Sequence, residues 1–119
     1  MEKKILVVDD SSFMRMSLKD ILIKAGYNVD EATDGNACIE QVKAGSPDLV
    51  TMDVIMPGKD GIETLKELVE LNKKIRVIMV TATGEEQKVI DAMSAGAKGY
   101  ITKPFKPKDV IGAIQKALE

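Results

Sequence analysis

Short apolar runs alternate with longer segments of helical period along the chain, and this alternation restricts the fold more than any other feature. Four nearly continuous apolar runs occupy residues 5–8, 49–52, 76–80 and 100–102. Runs this short are typical of strands that are buried on both faces of a sheet. A fifth segment, YNVDEAT, mixes polar and apolar residues and predicts a weaker strand.

The segments between these runs carry apolar residues at helical spacing. In the first segment they fall at i, i+4, i+7, i+8 and i+11, which is one face of a helix. The residues on that face are Met14, Leu18, Ile21, Leu22 and Ala25. The pattern recurs in Ile62, Leu65, Leu68 and Val69, and again in Val110, Ile114 and Ala117. Met14 and Met93 both fall on helix faces that are expected to be core.

Residues that favour helix ends flank these segments. Asp60 with Glu63, and Thr83 with Glu86, have the spacing of a capping box, in which the first side chain caps the helix N-terminus. Pro107 suits the first turn of a helix. Three glycines follow helical stretches where a left-handed residue is needed, namely Gly26, Gly45 and Gly96.

Periodicity and boundaries together predict ten alternating elements. They are β1 (4–8), α1 (12–25), β2 (28–32), α2 (35–44), β3 (48–53), α3 (61–71), β4 (76–81), α4 (85–95), β5 (98–102) and α5 (107–118). Strict alternation implies right-handed crossovers and a parallel sheet with helices on both faces. The apolar strands β1, β3 and β4 belong in the centre and the polar β2 at an edge, which gives the order 2-1-3-4-5. We therefore expect one domain, residues 1–119, with a flavodoxin-like, doubly wound (βα)5 fold of three α/β/α layers.

Composition excludes several classes of function. The 17 basic and 19 acidic residues give a net charge of −2, which favours neither nucleic acid nor an anionic membrane as a partner. The apolar run at residues 5–8 is far too short for a signal peptide or a membrane span. Cys38 is the only cysteine, which excludes an internal disulfide and predicts a cytoplasmic protein. The chain has no histidine, which excludes a histidine general base, a histidine metal ligand and a phospho-histidine intermediate.

Polar side chains stand at the carboxyl ends of four predicted strands. Asp9 and Asp10 follow β1, Asp53 ends β3, Thr81 ends β4 and Lys103 follows β5. Ligands of such sheets bind outside the carboxyl ends of the strands, at the point between strands 1 and 3 where the strand order reverses. We therefore expect all five side chains to converge on one crevice.

Three carboxylates on one rim need a counter-charge. About 5 Å apart, at an effective dielectric constant of about 20, each pair repels by roughly 3 kcal/mol and the three pairs by about 10 kcal/mol. That repulsion rivals the whole stability of a domain, so protons or a cation must neutralise the group. Oxygen ligands without histidine or thiolate favour a hard divalent ion, and a few carboxylates plus water favour Mg²⁺ over Ca²⁺.

A magnesium site of this kind leaves room for a phosphoryl group. Asp53, at the end of the central strand β3, is the expected nucleophile and would form an acyl phosphate. Lys103 and the Thr81 hydroxyl would bind the phosphoryl oxygens. The expected metal ligands are Asp10 directly, Asp9 through a water molecule, Asp53, and the backbone carbonyl of Ile55.

The motifs at these strand ends resemble those of a known family. VDD ends β1, MDVIMPGKDG spans the end of β3, TA ends β4 and KPF follows β5. In this order they resemble the receiver domains of two-component response regulators, and the stretch VDDSSFMRMSLKDIL is most similar to the stand-alone chemotaxis regulators of that family. The resemblance implies Mg²⁺-dependent transfer of a phosphoryl group from a sensor histidine kinase, of the CheA-like type, to Asp53. It also implies a cis Lys103–Pro104 peptide bond.

The resemblance further implies a switch made of Thr81 and Tyr100. Once Asp53 is phosphorylated, Thr81 would move toward the phosphoryl oxygen and Tyr100 would turn inward, which would change the surface formed by α4, β5 and α5. A protein of the motility apparatus or an adaptor protein would bind that surface, and a phosphatase would be a further partner. The chain would act as a monomer. It would be a switch that assists only its own phosphorylation and dephosphorylation, not an enzyme.

Two positions depart from what several relatives carry. Ile55, two residues after Asp53, is apolar where those relatives have a polar side chain, and Thr83, two residues after Thr81, is neutral. In the family these side chains flank the path of the attacking water. We therefore hypothesise that Ile55 hinders the water and slows intrinsic dephosphorylation.

Other functions remain open at this point. Within the same family, the alternatives to a chemotaxis regulator are a phosphorelay intermediate and an isolated receiver of a larger regulator. An aspartate-nucleophile phosphatase of the haloacid-dehalogenase kind needs a second acid two residues after its nucleophile, where this chain has Ile55. A nucleotide-binding module needs a glycine-rich loop after β1, where this chain has DDSSF.

Overall fold

The structure is a computed structural model that describes residues 2–119. Five strands and five helices alternate within that range. The strands are β1 (Lys4–Val8), β2 (Asn28–Ala32), β3 (Leu49–Asp53), β4 (Val77–Thr81) and β5 (Gly99–Thr102). The helices are α1 (Ser12–Lys24), α2 (Gly35–Ala44), α3 (Gly61–Leu71), α4 (Glu86–Ala95) and α5 (Pro107–Leu118). Each observed boundary lies within one residue of the predicted one.

All strand pairs of the sheet are parallel, in the order β2-β1-β3-β4-β5. The predicted flavodoxin-like order is therefore confirmed, with the polar β2 at one edge. The central strands β3 and β4 are buried at every position, because helices cover both faces of the sheet. Asp53 pairs with Val80 in register, which places Thr81 one residue beyond Asp53 on the neighbouring strand.

The core consists of two clusters, one on each face of the sheet, because successive strand side chains point to opposite faces. One face packs against α2, α3 and α4, and its cluster includes Leu6, Val8, Cys38, Val42, Val50, Met52, Leu65, Leu68, Met79 and Ala92. The other face packs against α1 and α5, and its cluster includes Ile5, Val7, Leu18, Leu22, Leu49, Ile78, Val80, Val110 and Ile114. The three predicted layers are thus confirmed.

The helix starts agree with the sequence except at α4. Asp60 caps α3 as predicted, because its side chain accepts a hydrogen bond from the Glu63 amide. Thr83 does not cap α4, so the second predicted capping box is wrong. Glu85 holds the N-cap position instead, and its carboxylate turns back toward the end of β4 rather than onto the first turn of the helix.

Two further local predictions are wrong, each for a physical reason. Gly26 and Gly96 have the predicted positive φ of 98° and 118°, but Gly45 has φ 178°, because the chain leaves α2 in an extended conformation. Met93 is 42% exposed rather than core, since Ala92 takes the buried position of α4. Met14 is only partly buried.

Cys38 is buried in α2, and burial raises the pKa of its thiol to about 12. The thiol is therefore an unreactive core group at neutral pH.

Among residues 2–119, the longest and most apolar helices still fall short of what a membrane crossing requires.

Candidate functional site

The carboxyl ends of β1 and β3 bring three carboxylates together. One oxygen from each of Asp9, Asp10 and Asp53 lies within 4.8 Å of the others. Asp9 is 5% exposed and Asp53 7% exposed, whereas Asp10 faces solvent. Two of the three charges are therefore largely removed from water, so their repulsion is weakly screened and favours a cation between them.

Lys103, which directly follows β5, supplies part of the positive charge that these carboxylates need. Its Nζ lies 3.4 Å from Oδ1 of Asp53 and 3.5 Å from Oδ2 of Asp9. The backbone amide of Lys103 donates to the carbonyl of Thr81 at 2.7 Å, which fixes the start of the loop after β5 against the end of β4. The Lys103–Pro104 peptide bond is cis, as the family resemblance implied.

The environment of Asp53 raises its pKa to about 6 in the metal-free protein. Burial is the largest cause, because it penalises the charged carboxylate, and the charge of Asp9 adds to it. The Lys103 ammonium opposes both effects and lowers the pKa. Lys103 thus offsets only part of the free-energy cost of burying Asp9 and Asp53 together, and a further positive charge would stabilise the two carboxylates.

Backbone contacts hold Asp9 in place on the other side of the cluster. Oδ1 of Asp9 accepts a hydrogen bond from the Ser11 amide at 2.9 Å, and its carbonyl accepts one from Nη1 of Arg15 at 2.8 Å. Nε of Arg15 also donates to Glu31, whose second oxygen accepts from Lys19. The hydrogen bonds from Lys19 and Arg15 lower the pKa of Glu31. Arg15 was not among the predicted site residues, although its place in the first turn of α1 was a usable signal.

Glycine at position 61 sets the approach of α3 to Asp53. A Cβ on Gly61 would lie 2.0 Å from the backbone carbonyl oxygen of Asp53, which no side chain tolerates. The Gly61 amide donates to the carbonyl of Val54 at 3.0 Å and closes the loop that follows β3. This role of Gly61 could not be predicted from the sequence, because it depends on the contact between two backbone segments.

Thr81 lies at the end of β4, but its hydroxyl is hydrogen-bonded to Glu85, which was not among the predicted site residues. Oγ1 of Thr81 donates to Oε1 of Glu85 at 2.9 Å. The Ala82 amide donates to the same oxygen at 2.8 Å. Thr81 is 4% exposed, so this contact is largely shielded from water. The spacing of four residues from Thr81 to Glu85 was the only signal that the sequence offered.

The two remaining predicted site residues, Tyr100 and Ile55, are both about half exposed. Tyr100, on β5, is 53% exposed and points away from the core. It lines a groove of about 460 Å³ that also includes Thr81, Val89 and Ile90. Ile55 follows the end of β3 with a side chain that is 51% exposed, and its carbonyl is placed by the same loop that Gly61 closes.

The donor set of the cluster fits a magnesium ion. All its ligand atoms are carboxylate oxygens, they are close enough for one small cation to contact, and one face of the cluster is open through Asp10. A hard ion that retains some of its water suits such a site better than an ion that prefers nitrogen or sulfur ligands.

Comparisons with known proteins agree with this geometry. A family model described as the response regulator receiver domain matches residues 5–115. The chain is 50% identical over 119 residues to the chemotaxis protein CheY of Bacillus subtilis, with 99% of each chain covered. It is 47% identical over 117 residues to CheY of Thermotoga maritima, with 98% of each chain covered.

A solved structure is similar over the same length. The structure of the Vibrio cholerae chemotaxis protein CheY4 has a TM-score of 0.93 and 30% sequence identity, and the match covers 99% of this chain and 100% of that one. The range matched by the family model includes the acidic cluster, Thr81 and Lys103.

Proposed function

This chain belongs to the family of response regulator receiver domains, and from that premise we propose that Asp53 is the residue that accepts the phosphoryl group. Receiver domains are phosphorylation switches, so the chain has a phospho-accepting role in signalling. The observation that carries the assignment is the position of Asp53. It ends a fully buried central strand, with Lys103 at 3.4 Å and two further carboxylates within 4.8 Å.

The chemistry expected of Asp53 is nucleophilic attack on phosphorus. A carboxylate oxygen of Asp53 forms a bond to the phosphorus of a phospho-histidine on a sensor kinase, the phosphorus–nitrogen bond breaks, and the imidazole leaves with the electron pair and takes up a proton. With a pKa of about 6, Asp53 is mostly ionised at pH 7 and available as a nucleophile. Release of the phosphoryl group to water reverses the state of the switch.

The proposed cofactor is Mg²⁺, bound directly by Asp10 and Asp53, through water by Asp9, and by the backbone carbonyl of Ile55. When bound, it supplies positive charge that offsets the three carboxylates and the phosphoryl oxygens. The close approach of the three carboxylates supports this proposal. Ser11 and Arg15 orient Asp9, and the loop closed by Gly61 orients the carbonyl of Ile55.

Lys103 and Thr81 are the proposed ligands of the phosphoryl oxygens. Lys103 already lies between Asp9 and Asp53, so its ammonium can bind an oxygen of the phosphoryl group without a large movement. Thr81 must first release its hydrogen bond to Glu85, since a hydroxyl has a single proton to donate. A phosphoryl oxygen at Asp53 gives the hydroxyl a charged acceptor to turn toward.

The proposed output is a movement of Tyr100 into the groove that it lines. The ring is half exposed and has about 460 Å³ of space beside it, which supports an inward rotamer. Because the groove lies between α4 and β5, filling it would change the surface of α4, β5 and α5. Ile90 and Met93, both exposed on α4, offer that surface apolar contacts for a partner.

We propose a role in chemotaxis or motility, because two relatives that are nearly half identical to this chain carry the name chemotaxis protein. The partners would be a CheA-like sensor histidine kinase, a motility-apparatus or adaptor protein, and a phosphatase. The near-complete coverage of these relatives supports a single receiver domain over residues 1–119. We propose that this domain acts as a monomer. A buried free thiol at Cys38 is compatible with the cytoplasm.

Incubation with acetyl phosphate tests this proposal, with intact mass as the measurement. The native chain should gain the mass of one phosphoryl group with Mg²⁺ and far less in the presence of a chelator. Asp53→Asn should gain none. Asp20→Asn, which changes an exposed aspartate that pairs with Lys24, is the matched control and should behave like the native chain.

Two results would overturn the assignment. In the first, Asp53→Asn gains the same mass as the native chain, so another residue accepts the group. In the second, the native chain gains no mass but releases phosphate continuously from small phosphate esters, as a phosphatase would.

A further inference from the structure

The hydroxyl that should bind the phosphoryl group is already bound to an anion within the chain. The Thr81 hydroxyl and the Ala82 amide both donate to Oε1 of Glu85, at 2.9 Å and 2.8 Å. This carboxylate oxygen thus takes two donors at the end of β4, one of which is the proposed phosphoryl ligand. The contact has the chemistry that Thr81 would make with a phosphoryl oxygen, because in both cases the acceptor is a charged oxygen.

Glu85 is not explained by an ordinary capping role. It holds the N-cap position of α4, yet its side chain makes no capping hydrogen bond to that helix. Its two donors, Thr81 and Ala82, both precede it in the chain. The side chain therefore links the start of α4 back to the end of β4.

We propose that Glu85 competes with the phosphoryl group on Asp53 for the Thr81 hydroxyl and thereby holds the receiver in its unphosphorylated state. This inference rests on the proposed role of Thr81 as a phosphoryl ligand. The hydroxyl has one proton, so a bond to Glu85 and a bond to a phosphoryl oxygen exclude each other. Phosphorylation must break the Glu85 contact, and the free energy of that contact opposes phosphorylation.

The competition also connects the site to the proposed output surface. Once Thr81 turns away, the Glu85 carboxylate loses one of its two donors and keeps the hydrogen bond from the Ala82 amide. The same end of α4 borders the groove that Tyr100 lines. Release of Glu85 therefore loosens α4 at the moment when Tyr100 has to move.

Equilibrium binding of fluoroberyllate, a phosphoryl stand-in, with saturating Mg²⁺ measures the competition directly. Glu85→Gln keeps the shape of the side chain but replaces a charged acceptor with a neutral one. Because hydrogen bonds to charged groups are stronger than neutral ones, the Kd should fall roughly tenfold in this variant. Glu40→Gln makes the same chemical change at an exposed residue of α2 that does not line this groove, and should leave the Kd unchanged.

A double-mutant cycle separates competition for the Thr81 proton from a general effect of charge. In a Thr81→Ala background the hydroxyl is gone, so Glu85→Gln should lose most of its gain in affinity. A gain of equal size with and without Thr81 would overturn the inference, because it would arise from charge repulsion alone. The inference would also fall if Glu85→Gln bound fluoroberyllate no better than Glu40→Gln.

These results are distinguishable from a failure of the proposed function. If the native chain gains phosphoryl mass on Asp53 while Glu85→Gln shows no change in affinity, only the role of Glu85 is wrong. If the native chain neither gains mass nor binds fluoroberyllate, the assignment of Asp53 and the inference that rests on it are both wrong.

Discussion

The carboxyl edge of the sheet has two halves that are built differently. The acidic half, formed by Asp9, Asp10, Asp53 and Lys103, is closely packed. Gly61 contacts the Asp53 carbonyl, and two of the three carboxylates are largely buried. The α4 half, formed by Thr81, Glu85, α4 and Tyr100, is more open, although Thr81 itself is buried. Its helix buries only Ala92 within the described chain and has no side-chain cap, and a groove lies beside it.

This difference corresponds to two physical requirements. A nucleophile and its charged partners must be fixed within fractions of an ångström, and only close backbone packing achieves that. A surface that reports a chemical change must have two arrangements of similar free energy, which requires loosely held groups and space for them to move. The acidic half meets the first requirement and the α4 half the second.

The largest test of this comparison is Gly61→Ala. The added methyl would overlap the Asp53 carbonyl, so we expect the free energy of unfolding to fall by roughly 4 kcal/mol, measured by urea denaturation. In the α4 half, Tyr100→Ala should cost no more than about 1 kcal/mol, because the ring is half exposed.

Gly112→Ala is the matched control for Gly61→Ala. A Cβ there meets nothing within 4 Å, and the residue lies inside α5, so alanine should raise stability by up to about 1 kcal/mol. Equal stability of Gly61→Ala and the native chain would show that the acidic half is not tightly packed.

The pKa of Asp53 predicts how stability depends on pH in the metal-free protein. The pKa is 3.8 for an ordinary aspartate and about 6 in the folded chain, so the folded state binds the proton more tightly. The resulting stabilisation is fully present below pH 3.8 and is lost as pH rises through about 6, a loss of up to about 3 kcal/mol.

Denaturation between pH 4 and pH 7 measures this effect against Asp53→Asn, which cannot ionise. The native chain should lose stability relative to the variant as pH rises, and saturating Mg²⁺ should restore it at pH 7 but not at pH 4. Parallel curves for the two proteins would mean that the Asp53 carboxylate is not destabilised by its surroundings.

Arg15→Ala tests the support of Asp9 by α1. Its loss removes a hydrogen bond to a largely buried backbone segment, so we expect the free energy of unfolding to fall by about 2 kcal/mol and Mg²⁺ to bind more weakly. Lys19→Ala removes only the more exposed contact with Glu31 and should cost about 0.5 kcal/mol with no change in Mg²⁺ affinity. Identical behaviour of the two variants would contradict a role for Arg15 in placing Asp9.

The smallest expected effect concerns Ile55, where the hypothesis of slow dephosphorylation stays a prediction. A polar side chain would admit the attacking water, so Ile55→Asn should shorten the phosphoryl lifetime roughly fivefold, or about 1 kcal/mol in barrier height. Decay of the phosphorylated mass with time measures this. Ile23→Asn makes the same change at an equally exposed residue of α1 and should leave the lifetime as it is. An unchanged lifetime in Ile55→Asn would end the hypothesis.

The ends of the strands could be read from the sequence because buried parallel strands are short and apolar. Asp9, Asp53 and Lys103 were placed together on that basis, since parallel strands share one carboxyl edge. The start of α4 could not be read in the same way. Thr83 and Glu86 have the spacing of a capping box, but Glu85 occupies the N-cap position instead, because its carboxylate accepts hydrogen bonds from Thr81 and Ala82 at the end of β4.

The order of residues alone determined the alternation of strands and helices, the order of the sheet, and the meeting of three carboxylates with a lysine. It did so because hydrophobic periodicity and the geometry of parallel strands leave few alternatives. Only the tertiary structure decided that Gly61 contacts the backbone of Asp53, that Arg15 reaches the Asp9 carbonyl, and that Glu85 binds Thr81. Those contacts depend on where packed side chains and backbone segments meet in three dimensions, which spacing along the chain does not specify.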